Sequence, residues 1–367
     1  NNLATIYVRI GRFSDAELLY LESKEIRQLR LGRNHPDYAQ SLNNIAVMYQ
    51  IMGKYDKAES FYLESKSIRK KQLGEDHPIY AQSMKSLATV YIKKSRYTEA
   101  EELLKSSQEV YLYQLHSVFP TLSEKEKEQF LSTFNSNYEY FNSFVVKRKK
   151  DNPEITANQF DNALLLKGLL LQSTSNIQNR VLSSGDTTVI RLFDEWQAVK
   201  RQWFKESQMT IDERKQSGID IANTYSKANT LEKELSRLSE EFAVSTDTVR
   251  TTWRDIQSGL KNGEAAIEIV RFRWNNKEWT DTIHYAALIV TPEMESYPHL
   301  VLLENGNELE EVGAKSYQQA FATRSSEPVF GNNTILSDSL YSYFWEPIQD
   351  ALDSLGGIEK VYLSPDG

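Results

Sequence analysis

The side chains able to do chemistry are few here, and their spacing groups them poorly. The 367-residue chain contains no cysteine, which excludes disulfides, thiolate metal sites and a cysteine nucleophile within these residues. His35 and His77 each precede a proline in a turn with no second histidine nearby, so zinc is not expected there. His284 falls in a strand-like run and His299 stands beside Pro298, which reads as structural or surface placement. Glu240-Glu241 and Glu310-Glu311 are adjacent in sequence and are expected to face solvent rather than form an acid/base pair. Lys147-Arg148-Lys149-Lys150 is a short basic run, expected as a solvated helix end rather than a phosphate site. There is no Gly-x-Ser-x-Gly elbow, no His-Glu-x-x-His and no Gly-Lys-Ser/Thr phosphate loop. On this reading no catalytic residue, metal ligand or cofactor is assigned.

The strongest pattern is positional. Sliding the sequence by 42 residues aligns Leu31-Gly32-Arg33-Asn34-His35-Pro36 with Leu73-Gly74-Glu75-Asp76-His77-Pro78, and Tyr38-Ala39-Gln40-Ser41 with Tyr80-Ala81-Gln82-Ser83. Tyr7, Tyr49 and Tyr91 fall in register, as do Ala16, Ala58 and Ala100. Leu21-Glu22-Ser23-Lys24 returns as Leu63-Glu64-Ser65-Lys66. Within one unit Leu42, Ile45, Ala46 and Tyr49 keep helical spacing, Gly53-Lys54-Tyr55 breaks it, and Ala58, Phe61, Tyr62 and Ser65 begin a second stripe. Glycine then proline at the unit boundary stops one helix and starts the next. Each hairpin leaves an apolar face that only a neighbour can cover, so the units are expected to stack into an α-solenoid.

These positions resemble the 42-residue tetratricopeptide repeats of the kinesin-light-chain type, and residues 1–112 hold about two and two-thirds units. Further repeats are expected upstream, because residue 1 falls inside a unit. The resemblance implies a concave groove for an extended peptide or partner domain. The polar positions on the first helices that match it are Gln40, Asn43 and Gln50, with Val47 between them, then Gln82, Lys85, Thr89 and Lys93. Amides can bond a peptide backbone, and the two lysines would favour an acidic partner. A plain solvated helix face is the alternative.

From residue 113 to 260 helical patterning continues without the exact repeat. Thr121-Leu122-Ser123-Glu124 reads as a helix start, followed by an aromatic stripe of Phe130, Phe134, Tyr138, Phe141 and Phe144 or Val145, expected as core. Further helices are expected around Asn162–Leu171, around Leu192, Trp196, Val199 and Trp203, and over Thr230–Phe242. After Gly263 the texture becomes strand-like at Ala265–Val270, Ile283–Val290 and Leu300–Leu303, with a hairpin over 275–282. Helices follow at Glu308–Thr323 and Ser337–Leu355, then a strand over Lys360–Ser364. The expected division is 1–112, repeats; 113–260, helical extension; and 261–367, the beginning of an α/β domain.

This order of parts, with Asn162-Ala163-Leu164-Leu165-Leu166-Lys167-Gly168, Leu340-Tyr341-Ser342-Tyr343-Phe344-Trp345-Glu346-Pro347-Ile348 and Ser364-Pro365-Asp366-Gly367, resembles bacterial CHAT-domain proteins. In those, a caspase-like cysteine protease is coupled to tetratricopeptide repeats. The resemblance implies a His–Cys dyad beyond the final Ser-Pro-Asp-Gly turn, so no residue here carries over as catalytic. It also implies a protein substrate and a role in defence or programmed cell death. A non-catalytic adaptor with a degenerate caspase-like domain is the competing expectation. The formal charge of −8 argues against a nucleic-acid binder, and no apolar run approaches the ~20 residues needed to span a bilayer. With no export signal evident, a cytoplasmic location is expected.

Overall fold

The computed structural model describes residues 2–118, 124–173, 185–238, 251–276, 279–311 and 341–365. The expected helix-start residues 121–123, the Glu240-Glu241 pair and the stretch 312–340 lie outside them. The chain divides into two compact units, one of residues 1–132 with 169–247 and the other of 133–168 with 248–367.

The first unit opens on helical hairpins: α1 (Asn2–Arg9) with α2 (Phe13–Leu31), α3 (Pro36–Ile51) with α4 (Tyr55–Leu73), and α5 (Pro78–Lys93) with α6 (Tyr97–Val118). The stripes read from sequence are the buried ones. Leu42, Ile45, Ala46 and Ala58 have no exposed surface, and Tyr49 and Tyr62 are nearly as buried. Alanine at these crossings lets backbones approach, and the Tyr49 ring stacks on Phe61 with centroids 5.7 Å apart.

A repeated set of polar bonds pins the second and third hairpins. Ser65 donates to the Ala39 carbonyl at 2.8 Å, and Ser107 donates to the Ala81 carbonyl at 3.0 Å. The Tyr49 hydroxyl donates to Glu17 at 2.6 Å, bridging one hairpin to the preceding one. These pairs explain why serine, alanine and tyrosine recur at fixed positions: a buried hydroxyl must find an acceptor, and the repeat supplies one each time.

The extension α9 (Thr187–Ser207), α10 (Ile211–Gln216) and α11 (Ile221–Leu238) belongs to the same unit. Val189, Leu192, Phe193, Trp196 and Val199 pack with Ala228, Leu231 and Leu235 in one apolar cluster. Asp186 caps α9 by accepting from Thr188 and Val189, and Thr210 with Glu213 forms a capping box on α10. No helix among the described residues is long and apolar enough to cross a membrane.

The second unit is a four-stranded mixed sheet in the order β3-β2-β1-β4, with β1 Glu264–Asn275, β2 Trp279–Val290, β3 His299–Leu303 and β4 Lys360–Ser364. β1 pairs antiparallel with β2 and parallel with β4. The hairpin expected over 275–282 is present, with Asn275 opposite Trp279, and both its strands run longer than the apolar runs suggested. Residues Ala265–Val270 are buried without alternation, as suits a central strand covered on both faces. One face carries Ala265, Ile267, Ile269 and Ile289, packed on Ile348 and Leu352 of α13 (Glu346–Leu355).

The other elements of this unit are the later part of α7 (Glu124–Arg148), the earlier part of α8 (Ile155–Ser173) and α12 (Trp253–Gly259). Phe134, Tyr138, Phe141, Phe144 and Val145 are buried as core. The middle segment, expected as one extension over 113–260, is shared between the two units, because residues 133–168 bond to the sheet. Ser143 donates to the Arg273 carbonyl at 3.2 Å, and Thr156 donates to the Pro298 carbonyl at 2.8 Å. The expected solvated helix end is corrected by the same contacts. Lys147 Nζ donates to the Asn275 carbonyl at 2.7 Å and Lys149 Nζ to the Leu300 carbonyl at 3.2 Å, so both ammonium groups close the ends of strands. Glu310 also departs from the solvent-facing expectation. It accepts from Arg271 Nε at 2.6 Å and from the Tyr285 hydroxyl at 3.1 Å, and the arginine holds its carboxyl below the usual range.

Candidate functional site: the first-helix face of the repeats

The groove residues expected from sequence lie on α3 and α5, the first helices of successive hairpins. Gln40 and Gln82 are exposed, while Asn43, Gln50, Lys85 and Lys93 are half-buried. Val47 is 38% exposed although it sits beside fully buried Ala46, so the helix presents a distinct outer face.

Not all of this face is available to a partner. The Gln40 amide donates to Asn44 at 2.8 Å and accepts from Arg69 Nη2 at 2.8 Å, so both its ends are occupied. Gln50 accepts from the Tyr62 hydroxyl at 3.0 Å. Thr89 donates to the carbonyl of Lys85 at 3.0 Å, a bond within its own helix. Among the described residues the Gln82 and Asn43 amides stand outside such bonds, while Lys85 and Lys93, which add positive charge, have interactions of their own.

Arg69 is the residue that sequence reasoning passed over. It is 3% exposed, and Nη1 donates to Ser83 Oγ at 2.8 Å while Nη2 holds Gln40. One side chain on α4 thus ties the first helix of its own hairpin to the first helix of the next. Its partners are neutral oxygens, and burial pulls its guanidinium down to about 10. The signal was present in the 42-residue register, since Arg27 makes the same bond to Ser41 Oγ at 3.0 Å.

The histidines at the unit boundary also have a role that their spacing did not disclose. His35 Nδ1 accepts from the Asp37 amide and His77 Nδ1 from the Ile79 amide, each at 3.1 Å. Each imidazole is therefore the N-cap of a helix whose first residue is proline. The clue was a histidine directly before a helix-opening proline, a position that calls for an acceptor.

The tetratricopeptide-repeat family model matches residues 1–71 and 38–112. The N-terminal array is a set of tetratricopeptide repeats. Similar solved structures include the tetratricopeptide-like repeats of a kinesin light chain from Podosopora anserina, in two forms. One shares 21% identity over 68% of this chain and 95% of that one, with a TM-score of 0.33. A point variant shares 17% identity over 56% of this chain and 94% of that one, with a TM-score of 0.29. No curated protein matches the sequence. The tetratricopeptide match ends at residue 112.

Proposed function

We propose that the protein is an interaction scaffold whose tetratricopeptide face on α3 and α5 holds an extended segment of a partner protein. The supporting observation is the partly exposed, largely polar outer face of helices whose opposite face is buried. Asn43 and Gln82 supply amides for a peptide backbone, and Lys85 and Lys93 favour acidic side chains. Gln40 and Gln50 belong to the same face as supports, since their amides are used within the repeat.

The sheet unit is proposed as the N-terminal part of a CHAT-type, caspase-like domain, whose proteolysis the repeat-bound partner would control. Support comes from the parallel pairing of β1 with β4 and from α13 packed on the sheet between β3 and β4, an α/β arrangement. The resemblance in the segments Leu340–Ile348 and Ser364-Pro365 points the same way. No described residue is given a catalytic role in this reading.

The test of the scaffold is a binding titration with extended acidic peptides, comparing the wild-type chain with Asn43→Ala/Lys85→Ala and with Gln82→Ala. The double variant is expected to lose at least about tenfold in affinity, with its unfolding midpoint nearly unchanged because both side chains lie outside the core. Equal affinities would return the face to ordinary solvated surface.

A further inference from the structure

A recess of about 380 Å³ lies in the repeat unit where the turn before α5 meets α6 and the extension helices, and it shares no residue with the α3 and α5 face. That volume falls in the range of small-ligand sites, about 300–1,000 Å³. Its aromatic lining is Tyr113, Trp203 and Tyr225. Both tyrosines are 39% exposed, and the Trp203 and Tyr225 rings lie 5.6 Å apart, tilted by 45°.

The polar groups left open in the recess are mostly donors. Trp203 is 6% exposed, yet its Nε1–H has no hydrogen-bond partner among the described residues. Trp196, two turns earlier on α9, donates to Glu232 at 3.2 Å, as a buried indole ordinarily finds an acceptor. The Trp203 nitrogen is not sealed off, and the wall of this recess is where the ring keeps its surface. The Tyr225 hydroxyl and the Arg214 guanidinium also have no bonded partner among the described residues.

The acceptors, by contrast, are mostly spent. Glu75 pairs with Lys70 at 2.8 Å, and the Asp76 carbonyl accepts from Gln114 Nε2 at 3.0 Å. Gln114 Oε1 is sealed from solvent. His77 Nδ1 accepts from the Ile79 amide, and burial favours the neutral ring, whose Nε2 lies 3.3 Å from the Gln208 carbonyl. The Asp76 carboxylate stands at the exposed mouth.

Rings beside unused donors select a ligand that accepts and does not donate. An ordinary extended peptide brings one N–H per residue, and each would face a ring or another donor. Proline has no N–H, its carbonyl only accepts, and a run of prolines holds an extended left-handed helix before any partner is met. Such segments dock in aromatic-lined grooves. We propose that this recess binds a proline-rich segment of a partner protein, with pyrrolidine rings against Tyr113, Trp203 and Tyr225 and peptide carbonyls on Trp203 Nε1, the Tyr225 hydroxyl and Arg214. A phosphate-bearing ligand would use Arg214 but meet Asp76 at the mouth and leave the rings unused.

The test uses the full chain and a fluorescein-labelled peptide, Gly-Pro-Pro-Pro-Pro-Pro-Pro-Gly as its C-terminal amide, against the same peptide with alanine for every proline, read by anisotropy. The proline peptide is expected to bind saturably and the alanine peptide at least about tenfold more weakly, since it loses both the ring contacts and the preformed helix. Trp203→Phe keeps a ring and removes the donor, and should weaken the proline peptide about three- to tenfold, as loss of one hydrogen bond implies. Tyr225→Leu, at an exposed position that threatens no core, should weaken it at least as much. Asn43→Ala/Lys85→Ala should leave this binding unchanged, which separates the recess from the repeat face; a loss there would place the peptide on that face and overturn the proposal. Equal binding of the two peptides, no binding, or wild-type affinity in Trp203→Phe or Tyr225→Leu overturns it as well. So does displacement by inorganic phosphate at constant ionic strength, since the recess would then be an anion site.

Discussion

At the scale of single residues, the histidine caps show how a repeat uses a titratable group structurally. To accept from the Ile79 amide, His77 must keep Nδ1 unprotonated, and burial lowers its basicity from the ordinary 6.5. Above that value the ring is neutral folded and unfolded, so the cap contributes fully. As pH falls below it, the unfolded chain takes up a proton that the folded chain resists, and stability declines towards the depressed folded value. His77→Ala is therefore expected to cost about 1–2 kcal/mol in urea unfolding at neutral pH, as lost caps do. His77→Asn, which keeps an acceptor, should hold most of that stability and flatten the decline below pH 6.5. His284 and His299 are shifted the same way by burial, so part of the slope should persist in the variant. A slope identical to wild type would mean that His77 does not carry this linkage.

At the scale of elements, the hairpin turn is repeated more faithfully in backbone than in side chain. Gly11, Gly53 and Ser95 occupy the same position 42 residues apart, with φ of 77°, 72° and 60°. In the left-handed region a side chain costs about 1–2 kcal/mol, whereas glycine costs about 0.5–1 kcal/mol in chain entropy. Strain is the larger effect. Ser95→Gly should therefore stabilise the array by about 0.5–1 kcal/mol, seen as a higher urea midpoint with an unchanged slope. A lower midpoint would show that the serine contributes something the turn geometry does not reveal. The turn conformation survives replacement of glycine because the Arg96 amide still bonds the Tyr91 carbonyl at 2.8 Å, as Lys54 does to Tyr49 at 2.9 Å.

At the scale of the whole molecule, each of the two units is assembled from separate stretches of chain. In the sheet unit Lys167 on α8 is a central tie. It forms an ion pair with Glu268, which is 1% exposed, and donates to the Ile269 carbonyl at 3.0 Å, Ser364 Oγ at 3.2 Å and the Pro365 carbonyl at 2.9 Å. One ammonium thereby binds β1, the end of β4 and a helix roughly a hundred residues earlier. Lys167→Met should cost about 3–5 kcal/mol, because it strands a buried carboxylate. Lys167→Met/Glu268→Leu should cost far less, since the charge that needed a partner is gone. Denaturant unfolding of both variants measures the coupling, and additive losses would show that the pair is not energetically linked.

The sequence by itself determined the local structure of the repeats. Helix phase, turn positions, the buried Leu42–Tyr49 stripe and the 42-residue period all follow from short-range spacing, which one chain segment carries alone. The strands of the sheet were legible for the same reason, as runs of β-branched and apolar residues. What the tertiary structure alone decided depends on long-range geometry. It turned Lys147 and Lys149 into strand-end donors, drew Glu310 to Arg271, and divided residues 113–260 between two units. It also showed that Gln40 is held by Arg69, whereas Gln82, in the equivalent place in the repeat, has no such bond among the described residues. Charged and amide side chains are long and find partners far away in sequence. Their spacing says where they start; only the packed fold says what they reach.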